Sequence, residues 1–157
     1  MLLTISIPSY AIKDGGEVYI FNYPEEASYL GHLAWGFMTD DGKYTYGARD
    51  GKPSEMTDNP NGFWFRSGSF DDMINTFTHL QYKSYIKTII PIPKVDDAIQ
   101  KTKDLQTVPY DFSTTNCLDA TYQIVWAYGA DVLPIAESAN VWYGNMTSHW
   151  GVSTIGL

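Results

Sequence analysis

The sequence predicts an α+β fold in which helices pack on an antiparallel sheet. Short alternating or β-branched runs bounded by turn residues indicate strands, as at residues 82–93. Capped segments with apolar residues at helical spacing indicate helices, as at residues 95–106. The two kinds of segment are mixed along 157 residues without a repeat or a linker. We therefore expect a single domain over residues 1–157.

The first third of the chain is predicted to be sheet. Strands are expected near residues 2–7 and 17–22. Residues 31–51 give the clearest hairpin signal, because an apolar run is followed by an Asp-Asp-Gly tip at residues 40–42 and then by the run KYTYGA. Residues 50–62 are rich in Gly, Pro, Asn and Asp and are expected to form a loop.

Three helices are expected further along the chain. The first begins after Ser69 as N-cap, with Asp72 placed to complete a capping box. The second spans residues 95–106, where an acidic first turn suits the helix dipole. The third spans residues 115–129 and ends at a glycine. The tail is expected to contain at least one more strand, at residues 149–157.

Charge and composition exclude several classes of ligand. The chain has 10 Lys and Arg residues against 18 Asp and Glu, a formal net charge of −8, which repels nucleic acid and anionic lipid. No apolar run is long enough for a membrane-spanning helix, and MLLTISIPSY lacks the features of a signal peptide. We expect no nucleic-acid partner, no membrane span, and a protein that is cytoplasmic or exported by a route without a cleaved signal peptide.

Cys117, the only cysteine, is the candidate nucleophile. Asn116 suits the N-cap of the helix 115–129, so Cys117 falls in the first turn. Unpaired backbone N–H groups there stabilise a thiolate and can donate to an oxyanion. The charge of Asp119, in the same turn, works against the thiolate. A lone cysteine is more often a buried apolar residue, so the assignment requires a histidine partner.

Three histidines are candidates for that partner. His32 begins the first strand of the predicted hairpin, where a rigid backbone would position a general base, although a lone histidine in a sheet is more often structural. His79 falls at a helix end, which favours a capping or surface role, and His149 lies near the C-terminus. Their scattered positions do not predict a metal site, and we expect no cofactor.

Two segments together resemble a known superfamily. GHLAWGFMTDDGKYTYG, residues 31–47, is similar to the histidine hairpin of the circularly permuted NlpC/P60-like, papain-like superfamily. YDFSTTNCLDATYQIVWAYGADVLP, residues 110–134, resembles its later Tyr…Asn-Cys helix. Lecithin:retinol acyltransferase-like proteins and several bacterial toxin-type domains share this order. The resemblance implies a permuted papain-like fold with Cys117 as nucleophile and His32 as the base that takes its proton.

The same resemblance implies a third polar residue that orients the histidine from the neighbouring strand, commonly His, Asn, Gln or an acid. Folding the hairpin about Asp41 brings the end of the second strand opposite His32. We predict Tyr46 for this role, with Arg49 and Asp50 as alternatives. A tyrosine departs from the superfamily pattern.

The predicted reaction is acyl transfer by a cysteine peptidase or amidase acting on a peptide, isopeptide or peptidoglycan amide bond. A phage, toxin or effector module or an intracellular enzyme would suit such a chain. Aromatic residues are candidates to line a peptide cleft, although each is more often a core residue: Trp35, Trp64, Tyr110, Trp142 and Trp150. Two alternatives remain open: a lipid acyltransferase or thioesterase, and a non-catalytic module on the same fold that binds a protein partner or inhibitor.

Overall fold

Antiparallel pairing joins six strands into one sheet over residues 15–157, the part of the chain that this computed structural model describes. The order across the sheet is β4-β3-β2-β1-β5-β6. The strands are β1 (Gly16–Tyr23), β2 (His32–Met38), β3 (Tyr44–Arg49), β4 (Phe63–Gly68), β5 (Ser84–Ile90) and β6 (Ile155–Gly156).

Five helices accompany the sheet in the same residues, which confirms the predicted α+β class. They are α1 (Glu26–Tyr29), α2 (Phe70–His79), α3 (Val95–Leu105), α4 (Cys117–Tyr128) and α5 (Ala139–Trp150). No helix in residues 15–157 has the combined length and apolar character needed to cross a bilayer.

The predicted helix ends are confirmed by their hydrogen bonds. The Ser69 hydroxyl accepts from the backbone N–H of Asp72, and the Ser69 N–H donates to the Asp72 carboxylate, which closes the capping box of α2. The Asn116 side chain accepts from the backbone N–H of Asp119 at the start of α4. Gly129 ends α4 with φ of 110°, a left-handed conformation that suits glycine.

The tail differs from the prediction. The sequence predicts a strand at residues 149–157, but α5 continues to Trp150 and only Ile155–Gly156 pairs with β5. The reason is that Ser138 caps α5 and one helical face is buried, with Ala139, Trp142, Tyr143 and Met146 as its members. β4 also has no counterpart in the sequence prediction. The strand predicted near residues 2–7 lies outside the described residues.

Both faces of the sheet are covered, and α4 crosses β2 on one of them. One face packs Leu33, Trp35 and their neighbours against α3, α4 and α5. The other packs Tyr19, Phe21 and their neighbours against α2. The first residue of β2 is His32, and the last of β3 is Arg49. The N-terminus of α4 therefore meets the end of the sheet where β2 begins and β3 ends.

Candidate active site

Cys117 is the first residue of α4 and is buried. Its sulfur receives hydrogen bonds from the backbone N–H groups of Leu118, in the same turn, and of Leu33, in β2. The cap on Asn116 holds this turn in place. The helix start thus presents N–H donors to the sulfur, as the sequence predicts for a thiolate at this position.

A side-chain hydrogen bond joins Cys117 to His32. Burial raises the pKa of Cys117. The positive charge and hydrogen bond of His32 and the two backbone N–H groups lower it by a larger amount, so the net pKa is below that of a free thiol. Burial likewise lowers the pKa of His32, yet the charges and hydrogen bonds of Cys117 and Asp50 outweigh it and raise the net pKa. Both shifts favour a thiolate–imidazolium ion pair.

Asp50 orients His32. Its Oδ1 lies 2.8 Å from His32 Nε2, and its Oδ2 accepts a hydrogen bond of 2.9 Å from Trp64 Nε1. Because Nε2 is committed to Asp50, the nitrogen left to face Cys117 is Nδ1. Cys117, His32 and Asp50 form a continuous hydrogen-bonded chain.

Tyr46, the residue predicted to orient His32, does not lie beside it. Tyr46 is in register with Gly36, four residues along β2 from His32, which is about 13 Å in an extended strand. Its ring instead packs against Phe77 of α2, with centroids 5.9 Å apart. The contact with His32 is made by Asp50, one of the two alternatives.

Arg49, the other alternative, points to the face of the sheet opposite to that of Tyr46 and is fully buried. Its Nη2 donates to the Leu105 carbonyl at 2.9 Å, and its Nη1 lies 3.7 Å from Asp119 Oδ2. The guanidinium also stacks 5.6 Å from the centre of the Phe63 ring. Arg49 therefore offsets the negative charge of Asp119, which would otherwise oppose a thiolate at Cys117.

The other two histidines are engaged elsewhere. His79 Nε2 lies 3.2 Å from Glu55, and His149 Nε2 lies 3.0 Å from Asp131. Neither lines the cavity that contains Cys117. Residues 15–157 include no cluster of three or more His, Cys, Asp or Glu side chains suited to a metal ion.

Cys117, His32 and Asp50 line an open cavity of about 600 Å³. Its walls come from the connections between β1 and β2 and between α2 and β5, the loop after β3, the loop before α4 and the loop before α5. Of the aromatic candidates, Tyr110 lines the cavity, whereas Trp35, Trp64 and Trp142 are core residues. The volume is in the range of small-molecule and peptide sites.

One cavity wall is the segment 24–31, which α5 holds in place. The Asn140 Nδ2 donates to the carbonyls of Pro24 and Tyr29, at 3.1 and 2.9 Å, and the Asn140 N–H donates to the Leu30 carbonyl at 2.9 Å. Within this segment Ala27, Ser28 and Tyr29 all have positive φ, between 52° and 67°. The wall, which includes α1, is thus a strained left-handed turn that Asn140 holds through both its side-chain amide and its backbone N–H.

Sequence reasoning missed Tyr82, which lines the same cavity. Its ring centroid is 5.9 Å from that of His32. The side chain is buried, and its hydroxyl has no hydrogen-bond partner among residues 15–157. No sequence signal marks this residue, because its position depends on how α2 and β5 pack at the end of the sheet.

No known family model matches the chain, and no curated protein or solved structure is significantly similar to it. Function is therefore inferred from the residues and geometry of the Cys117 cavity alone.

Proposed function

We propose that the protein is a cysteine hydrolase that cleaves a peptide or related amide bond through an acyl-enzyme. One observation carries the proposal: a cysteine at a helix N-terminus is hydrogen-bonded to a histidine that an aspartate orients, and all three line an open cavity. This is the arrangement of nucleophile, base and orienting residue that covalent acyl transfer requires.

The residues divide the reaction between them. The Cys117 thiolate attacks the carbonyl carbon, and the resulting oxyanion accepts a hydrogen bond from the backbone N–H of Cys117 at the start of α4. The next two N–H groups of that turn are engaged by the sulfur and by the Asn116 cap. The His32 imidazolium gives its Nδ1 proton to the leaving amine, and the C–N bond breaks. Water then attacks the thioester while His32 takes its proton, which releases the acid and restores the thiolate.

We also propose that the sheet and helices belong to the permuted papain-like, NlpC/P60-like superfamily. The chain order supports it, since the histidine strand precedes the Asn-Cys helix. The acid at the orienting position, Asp50, fits the superfamily pattern better than the tyrosine predicted from the sequence.

A thioesterase or lipid acyltransferase is the second candidate. Exposed apolar side chains line the cavity mouth, and these would suit an acyl chain: Leu30, Phe112 and Ile135. Comparing peptide amides with acyl thioesters as substrates of the intact protein separates the two reactions.

The first test is the pH dependence of Cys117 alkylation by iodoacetamide. We expect an apparent pKa well below the roughly 8.5 of a free thiol, because the imidazolium stabilises the thiolate. His32→Ala should move it upward, since it removes that charge, whereas His149→Ala should leave it unchanged. A thiol that does not react, or a profile indifferent to His32, would contradict the hydrolase and favour a non-catalytic binding module.

A further inference from the structure

The cavity mouth carries an excess of negative charge. Glu26 and Glu137 line it from two different elements and are exposed, and neither forms a salt bridge within residues 15–157. A third carboxylate at the mouth, Glu55, is paired with His79. Lys52 is the one lysine or arginine in the cavity lining described by residues 15–157. The field at Cys117 therefore attracts cations and repels anions.

The same mouth is apolar. Leu30, Phe112 and Ile135 line the cavity, yet 43%, 62% and 48% of their surfaces are exposed to solvent. Large apolar side chains that meet at a concave site beside a reactive group are typical of a surface that a ligand covers.

Tyr82 adds an aromatic ring to the cavity lining. Only 5% of the residue is exposed, it lines the cavity, and its hydroxyl lacks a partner in the described residues. Burial and then the nearby negative groups, Asp50, Cys117 and Glu26, raise its pKa well above that of an ordinary tyrosine, so the hydroxyl remains a donor. The hydroxyl is shielded from solvent, so it is the ring of Tyr82, with its centroid 5.9 Å from that of His32, that adds surface to the site.

We infer that the site binds a substrate in which a positive charge adjoins an apolar group, such as a peptide with a basic residue beside a large apolar one. This rests on the proposed function, because it takes Cys117 as the reacting atom. The carboxylates at the mouth would attract the cation, and the apolar side chains would cover its neighbour. Anionic substrates are disfavoured.

Methanethiosulfonates of different substituents test this on the intact protein. The Cys117 thiolate attacks the reagent's sulfenyl sulfur, a mixed disulfide forms and methanesulfinate leaves, whichever substituent is carried. The first measurement is the rate ratio of the ethyltrimethylammonium reagent to the ethylsulfonate reagent, divided by the same ratio for free 2-mercaptoethanol. We expect a normalised ratio of about 10 or more at low salt that falls towards 1 at high salt.

The second measurement is the rate ratio of the neutral benzyl reagent to the methyl reagent, normalised in the same way. We expect it to exceed 1 because the benzyl group would pack on the apolar mouth. Phe112→Ser should lower it, whereas Ile92→Ser, at another exposed site, should leave it unchanged.

Variants at the carboxylates assign the charge preference. Glu26→Gln combined with Glu137→Gln should bring the charge ratio close to 1. Asp96→Asn combined with Asp97→Asn, in the first turn of α3 and away from the cavity, also removes two charges; it is the matched control and should have little effect.

The outcomes separate this inference from the proposed function. If Cys117 has a low pKa but either normalised ratio is 1 in the wild type, the substrate class is wrong and the hydrolase stands. If Cys117 reacts with none of the reagents, both are wrong.

Discussion

At the scale of single residues, the site depends on a series of short contacts rather than on any one side chain. Trp64 donates a hydrogen bond to Asp50, and Asp50 is hydrogen-bonded to Nε2 of His32. His32 in turn is hydrogen-bonded to the sulfur of Cys117. Each contact fixes the orientation of the next, so His32 keeps Nδ1 towards the sulfur. The negative charge of Asp50 also stabilises the imidazolium that the thiolate needs.

The first prediction at this scale concerns Asp50. Asp50→Asn should lower the pKa of His32 by roughly one or more, because the neutral amide no longer stabilises the imidazolium. The measurement is an NMR titration of the His32 ring protons. Tyr46→Phe is the matched control and should leave the titration unchanged, since Tyr46 packs on α2. A shift caused by Tyr46→Phe and not by Asp50→Asn would restore Tyr46 as the orienting residue.

The sequence contains enough information to place Asp50 beside His32. It does not contain enough to predict that Arg49 pairs with Asp119 or that Tyr82 lines the cavity. Paired residues in an antiparallel hairpin lie at equal sequence distances from its centre. A centre at Asp41 therefore places position 50 opposite His32. The observed pairing of Ala34 with Ala48 has this centre. Arg49 and Tyr82 reach the site through packing between distant segments, which no local pattern encodes.

At the scale of elements, the segment 24–31 is held against α5 by Asn140, and Gly31 makes the close approach possible. Gly31 has φ of 93°, and a Cβ there would lie 2.3 Å from Asn140 Oδ1. The cavity wall therefore depends on a glycine for two reasons, one conformational and one steric.

Two glycine substitutions separate these reasons. Gly42, at the tip of the β2–β3 hairpin, has φ of 75°, and the space that a Cβ would occupy there is open. Gly42→Ala should therefore cost about 1 kcal/mol from backbone strain alone. Gly31→Ala should lower the free energy of unfolding by a further ~1–3 kcal/mol, because the added methyl displaces Asn140. Urea denaturation measures both, and equal losses would show that the wall can move away from α5 at little cost.

The elements predicted correctly are those with strong local signals at their ends. Ser69 and Asp72 mark the start of α2, and Asn116 marks the start of α4. α5 also has an end signal, the Ser138 cap, but Gly144 and a mixture of aromatic and β-branched residues weaken the helical pattern within it. Its helical state follows from burial of Trp142 and Met146 against the sheet and its helices, which is a tertiary effect.

At the scale of the whole molecule, several tyrosine side chains are buried on the two faces of the sheet. Some of their hydroxyls form hydrogen bonds, and one has no hydrogen-bond partner in the described residues. Tyr19 and Tyr44 donate to Glu17, Tyr128 donates to the Met38 carbonyl, and Tyr82 has no partner in residues 15–157. Burial is the largest cause that raises the pKa of each, to about 12 for Tyr44, and the pKa values of the other three are also raised. The folded state therefore resists tyrosine ionisation.

The last prediction is that the protein unfolds cooperatively at alkaline pH. A group whose pKa is raised by folding stabilises the protein fully below its unfolded value, near 10 for tyrosine, and this stability is lost as the pH rises towards the folded value. Each such tyrosine then lowers the free energy of unfolding by roughly 1.4 kcal/mol per pH unit above 10, or by about 5.6 kcal/mol per unit for four of them. Because domains are stable by only about 5–15 kcal/mol, unfolding is expected near pH 11–12.

The chain has 12 tyrosines, and exposed ones ionise while the protein is folded, so absorbance at 295 nm, which reports tyrosinate, should rise in two stages. The second stage, from the buried tyrosines, should coincide with the change in circular dichroism. Tyr128→Phe removes one of the four ionisations and should make the loss of stability with pH less steep, even though it also removes the hydrogen bond to Met38. The slope is the decisive quantity, because a lost hydrogen bond lowers stability at every pH whereas a lost ionisation changes only its pH dependence. A rise that reaches the full absorbance of all 12 tyrosines before circular dichroism changes would show instead that solvent reaches these hydroxyls without unfolding.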